Sequence, residues 1–163
     1  MEHFTIPVSN FLSKGIFKNL KKNREEVFRK FELPQKGIDN SVIEDGYAGI
    51  HKNEAYLQYK SFTNSRVIKI GSSLGWVKTN KDLIIGDILL KDNDDVFFSE
   101  IEKLAKELGV SKISFQVSSG CRLHGLFASR YNAVPSFPVL FKDLGSRIPF
   151  KEIKFTFSDI DIF

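Results

Sequence analysis

The spacing of apolar residues changes from stretch to stretch along this 163-residue chain and divides it into elements. Phe97, Ile101, Leu104, Ala105 and Leu108 recur at the i, i+4, i+7, i+8, i+11 spacing of a helix burying one stripe. Asn93 or Asp94 can cap its start, and Gly109 sits where a left-handed C-cap belongs. Before it, "RVIKI" (66–70), "LGWVKTN" (74–80) and "KDLIIGDILL" (81–90) read as strands, with a tight turn at "TNKD". The third of these is almost wholly apolar, which predicts a central strand covered on both faces. After the helix, "VSKISFQVS" alternates Ile113, Phe115 and Val117 inward, and "CRLHGLFASRY" returns to helical spacing. "FPVLFKDL" (137–144) and "EIKFTFSDIDIF" (152–163) read as two closing strands.

The first third is less regular. Thr5 to Val8 predicts a short strand at a sheet edge, because Pro7 lacks an N–H to donate. From Ser13, Ile16, Phe17, Leu20, Val27, Phe28 and Phe31 predict a helix that ends before Pro34 and Gly37. "QKGIDNSVIEDGYAG" reads as a loop. "KNEAYLQYK" reads as a short helix with Ala55, Tyr56 and Tyr59 on one side. Antiparallel hairpins followed by β-α-β units predict an α/β (α+β) fold: a mixed, mostly antiparallel central sheet flanked by helices on both faces. Residues 1–163 form one domain in this reading, with a basic helical part at 1–36 and the sheet core at 66–163.

Charge is placed unevenly. Residues 1–36 carry eight Lys/Arg and four acids, 8 − 4 = +4, which accounts for the whole net charge of +4. The rest balances at 24 − 8 = 16 cations against 20 − 4 = 16 anions. A basic helix attracts nucleic acid, anionic lipid or an acidic partner, but its ordinary use is as the solvated face of an amphipathic helix. A single cysteine, Cys121, excludes an internal disulfide and a Cys-rich zinc site. His3, His51 and His124 show no metal-ligand spacing, so no metal is expected. No run approaches a membrane span, and residues 1–10 lack the pattern of a signal peptide, so a cytoplasmic protein is expected. Sixteen phenylalanines against one Trp and one Met are read first as core packing.

The order of elements and several local sequences resemble the GNAT superfamily of acyl-CoA-dependent N-acyltransferases. The nearest likeness is to divergent GNAT-like domains of single- and tandem-domain bacterial proteins. "KNEAYLQYKSF" is similar to the lead into that family's antiparallel strands, and residues 82–118 to its strand-helix-strand core. "LFASRYNAVPSFPVLF" stands at its Tyr-ended helix, and "FTFSDIDIF" at its closing strand. The resemblance implies a slot between the fourth and fifth strands for an acetyl-CoA or other acyl-CoA donor, and an amine acceptor. It places the backbone of Ile88, Leu89, Leu90 and Lys91 along that slot. Asp87, beside a Gly86 that marks a bulge, is a candidate general base with a raised pKa or equally a structural group bonded to a neighbouring loop. Tyr131 is the candidate acid toward the leaving thiolate, although packing at a helix C-terminus is the more ordinary use of such an aromatic.

The family's pyrophosphate turn follows the pattern Q/R-x-x-G-x-G/A, whose glycines let backbone N–H groups approach the anion at a helix start. The matching "LLKDNDDVF" has no glycine and carries Asp92, Asp94 and Asp95. A carboxylate ~5 Å from a phosphate charge repels it by roughly 3 kcal/mol at an effective dielectric of ~20. CoA binding is therefore expected to be weakened or lost, with the aspartates capping their own helix.

Three readings of function follow. One is acyl transfer to an amine. One is a non-catalytic GNAT-like domain that binds a ligand, a second GNAT domain or another copy of itself. One is a Fem-type transferase taking aminoacyl-tRNA, disfavoured because the basic segment lacks aromatic interleaving. Cys121 and His124 share a helix face, but a buried thiol is the ordinary use of such a cysteine. Ser118, Ser119 and Gly120 read as the N-cap of that helix.

Overall fold

The computed structural model describes residues 1–8, 24–33, 38, 42, 46–140, 142, 144–160 and 163. Of the helix predicted from Ser13 to before Pro34, residues 13–23 lie outside these residues while Arg24–Phe31 is helical, and most of the 35–49 loop lies outside them too. In chain order the elements are β1 (Glu2–Pro7), α1 (Arg24–Phe31), α2 (Glu54–Tyr59), β2 (Arg66–Ile70), β3 (Ser73–Thr79), β4 (Leu83–Leu89), α3 (Asp94–Glu107), β5 (Lys112–Val117), α4 (Arg122–Ala128) and β6 (Ala133–Pro135). The six strands form one mixed, mostly antiparallel sheet in the order β2-β3-β4-β5-β1-β6, in which only the β4–β5 pair is parallel.

Both faces are covered. On one, Phe28 of α1, Phe97, Ile101 and Leu104 of α3, and Leu123 and Phe127 of α4 pack on Phe4, Ile68, Val77, Leu83, Ile85 and Phe115. On the other, Tyr56 and Leu57 of α2 join Val67, Leu74, Trp76, Leu89, Phe157 and Phe163. The helix stripe of α3 is as its spacing predicts, with Asn93 accepting from the Val96 N–H at 2.9 Å as N-cap and Gly109 left-handed at φ 63°. β4 is central and almost wholly buried.

Five expectations are corrected. β1 is an interior strand, paired with β5 and β6; Pro7 is tolerated because it is the last residue of the strand. Residues 137–144 form no strand among the described ones; the sixth strand is the three residues of β6. Among the described residues of 152–163 there is no regular strand. Their alternation is broken because Thr156 and Asp159 form a reciprocal cap that turns the chain into a 3-10 turn at Phe157–Asp159. In α2 the inward residues are Tyr56 and Leu57, while Ala55 and Tyr59 are exposed, because Tyr56 and Leu57 pack on the cluster around Trp76 and the Tyr56 hydroxyl donates to Ser158 C=O. The N-cap of α4 is Cys121, whose Sγ accepts from His124 N–H at 3.4 Å.

Candidate functional site

β4 changes its neighbours halfway along. Leu83, Ile84 and Ile85 pair with Ile113, Ser114 and Phe115 of β5, and the pairing ends there. On the β3 side the register slips at the same place, from Val77↔Ile85 to Trp76↔Asp87, which leaves Gly86 as an extra residue. The bulge reverses the alternation. Leu83 and Ile85 face the α3 side, and without the bulge Asp87 would follow them into that apolar core. With it, Ile88 and Leu90 stay on the α3 side and Asp87 turns to the opposite face.

A gap therefore opens between β4 beyond Ile85 and β5 beyond Phe115. It is occupied by the chain itself, by residues 153–160 and Phe163. Thr156 bridges Val117 on the edge of β5 away from β1. Ser118 N–H donates to Phe155 C=O at 2.8 Å, and Phe155 N–H to Ser118 Oγ at 3.1 Å. Ile153 bridges Ala48, and Lys154 N–H donates to Ala48 C=O at 2.8 Å. The Phe163 ring lies directly on Gly86, where any Cβ would come within 2.4 Å of it. That ring also meets the edge of Trp76 at 5.5 Å.

Under this segment lies a buried charge cluster. Lys52 Nζ donates to Asp87 Oδ2 at 2.7 Å and to Thr156 Oγ1 at 3.2 Å, and lies 3.0 Å from Asp159 Oδ1. Lys154 Nζ is 3.2 Å from Asp87 Oδ1, which also accepts from Ile88 N–H at 2.8 Å. Lys52, Asp87 and Lys154 are no more than 1% exposed. Two lysines thus face two aspartates, and the cluster is electrically balanced. Burial by itself would raise the Asp87 pKa, but Lys154 and Lys52 override it and hold the carboxyl at about 2. The expected raised pKa is not found; this carboxylate is fully ionised and its oxygens are engaged. Burial works against the charged form of Lys52 too, yet Asp87 and Asp159 keep its pKa above the ordinary value. Asp159 is displaced the other way, raised by burial and by Asp87 against the pull of Lys52. Outside this cluster, Tyr56 of α2 and Lys60 just after it hold the segment by its backbone: Lys60 Nζ donates to Ile160 C=O at 2.8 Å and Tyr56 Oη to Ser158 C=O at 3.3 Å.

Tyr131 lies elsewhere. It packs on Phe98 on the α3 side of the sheet, with ring centroids 5.6 Å apart. Asp87 and Tyr131 therefore face opposite sides and are not brought together. Burial raises the Tyr131 pKa, partly offset by Arg130. Ile88, Leu89 and Leu90 are buried and Lys91 is exposed. Lys91 N–H is spent on Ser73 Oγ at 2.9 Å.

The acidic turn does something other than cap its helix. Asp92 reaches back to the β2–β3 hairpin, where Oδ2 accepts from Ser72 N–H at 2.9 Å, Ser73 N–H at 3.0 Å and Ser73 Oγ at 2.8 Å, and Oδ1 from Ser72 Oγ. Gly71, left-handed at φ 63°, gives the hairpin its shape, and a Cβ there would meet the Asp92 carboxylate at 2.7 Å. The slight burial of Asp92 opposes ionisation, but the serine hydroxyls and amides outweigh it and lower its pKa. Asp95 pairs instead with Arg130. Only Asn93 caps α3.

His124 places Nε2 2.5 Å from Glu2 Oε2, joining α4 to β1. Among the described residues no three of His, Cys, Asp and Glu come together as a metal site would require, and no helix is long and apolar enough to cross a membrane. Sequence reasoning missed Lys52 and Lys154. A lone lysine in "HKNE" has no periodic signal, and only the fold reveals its partners. No protein-family model matches the chain, and searches of curated proteins and of solved structures return no match either.

Proposed function

We propose that this chain is a non-catalytic domain of GNAT-like shape, acting through binding or interaction rather than acyl transfer. The observation that carries this reading is the occupied gap: residues 153–160 and Phe163 fill the space between β4 and β5 that an acyl-CoA arm would need. Two features add support. Asp87 is ion-paired to Lys52 and Lys154 and cannot take a proton from an amine near neutral pH without losing both. The turn at Lys91–Asn93 directs a carboxylate of its own onto the hydroxyl and amide donors of Ser72 and Ser73.

The test is a calorimetric titration of acetyl-CoA into the protein, with emission of the single Trp, Trp76, as a second readout. Trp76 is fully buried against Phe163, so entry of a ligand into the gap must change its surroundings. The reading expects no saturable heat and no change in emission at near-millimolar ligand. A one-to-one isotherm accompanied by a shift in emission would restore the acyltransferase reading, in which the segment withdraws to admit the donor.

A further inference from the structure

The segment that fills the gap is joined to the rest of the fold by a long connection whose described residues are nearly all exposed. β6 ends at Pro135 and is prolonged only to Phe137, where Ser136 N–H donates to Met1 C=O and the Met1 amino group to Phe137 C=O. The next element is the 3-10 turn at Phe150–Glu152. In between, the described residues have no helix or strand, and all except Val139 are exposed. Leu140 is 97% and Leu144 87% exposed, with Ile148 and Phe150 also outside. A buried, many-bonded element at the end of an exposed irregular connection is the anatomy of an exchangeable element. The twelve residues 138–149 reach roughly 40 Å when extended, which matches the ~40 Å width expected of a domain of this length.

We propose that residues 150–163 are exchanged between two copies of this chain, so that the closing segment of each fills the β4–β5 gap of the other. Lys154, Thr156 and Asp159 of one copy then complete the cluster around Lys52 and Asp87 of its partner, with the same bonds as in the single chain. Exchange has a second effect that the single chain lacks. It draws the connection across a second molecule, where Leu140 and Leu144 can be covered. Because the segment is a core element when docked, exchange occurs as chains fold together at high concentration, not by opening of the folded domain.

The first test uses the pairing of Ala48 with Ile153. A variant carrying Ala48→Cys, Ile153→Cys and Cys121→Ser is refolded dilute and concentrated, oxidised, and run unreduced under denaturing conditions. Dilute refolding should give a link within the chain; concentrated refolding should give a covalent species at about twice 18.6 kDa in majority. A link confined to single chains at both concentrations overturns the proposal. A second test needs no disulfide. Asp87→Lys and Lys154→Asp are made in separate chains, with the double variant as the control that the reversed pair folds. Each single variant alone sets like charge against like, whether closed or self-exchanged. Refolded together they should form a heterodimer with buried Trp76 emission, and a mixture no better folded than its parts, beside a folded control, overturns the exchange.

Discussion

The two faces of the sheet are held by different physics. The face covered by α1, α3 and α4 buries apolar side chains almost without exception. The face covered by α2 and the closing segment buries Lys52, Lys60, Asp87, Lys154, Thr156 and Ser158 beside Trp76 and Phe163. Apolar packing tolerates exchange of one hydrophobic group for another of similar volume. A buried ion cluster does not, because each member removed leaves a charge unpaired in a poor solvent. The comparison suggests that the first face supplies most of the stability and the second fixes where the closing segment goes.

The largest expected effect breaks the second face. Asp87→Ala leaves Lys52 and Lys154 without their shared partner and should cost about 3–5 kcal/mol, read by urea unfolding. Leu104→Ala on the first face should fall within about 2–5 kcal/mol, by loss of packing alone. The distinction lies in rescue: Leu104→Met should keep nearly all stability, whereas Asp87→Glu should not restore the cluster's geometry. Next in size is Gly86→Ala. Its methyl group would push the Phe163 ring aside at a cost of about 1–3 kcal/mol, and Trp76 emission should shift with it.

A difference in pH response sharpens the contrast. The folded-state pKa of Asp87 lies below its ordinary value of 3.8, at about 2. Its contribution is therefore fully present above about pH 4 and lost as pH falls toward 2, amounting to about 2 kcal/mol. Asp159, raised above 3.8, acts in the opposite sense, taking up a proton in the folded state first and flattening the upper part of that slope. Asp87→Asn should remove the loss between pH 4 and 2, while Leu104→Ala should leave its shape unchanged. The smallest effect is expected at the hairpin. Asp92→Asn retains part of the bonding to Ser72 and Ser73 and should cost no more than about 1 kcal/mol in this partly exposed place.

The same contrast explains how much of the molecule was legible. The stripe of α3 and the strands β2 to β5 follow from local periodicity, because each buries an apolar side against a neighbour close in sequence. β1 was recognisable as a strand but not as an interior one. Its partners lie more than a hundred residues away, and Pro7 carries no information about which of them it meets. Phe155 and Phe157 alternate as strand residues do, yet the cap formed by Thr156 and Asp159 turns them out of the sheet. At the site, Asp87 and the Gly86 bulge were visible in an otherwise apolar strand. Lys52 and Lys154 were not, since what distinguishes them from surface lysines is a partner brought in by tertiary structure. The α/β class survives these corrections; Asp87 and Tyr131, expected as base and acid, lie on opposite faces of the sheet.

The central claim is that the closing segment belongs to the folded core and keeps the β4–β5 gap shut. Native-state hydrogen exchange at the Lys154, Phe155 and Thr156 amides tests it most directly, since these donate to Ala48 C=O, Ser118 Oγ and Asp159 Oδ2. If the claim holds, they exchange only through global unfolding, with the same protection as the amides of β4. Exchange orders of magnitude faster than in β4, with β4 still protected, would mean that the segment lifts away and the gap opens, contradicting it.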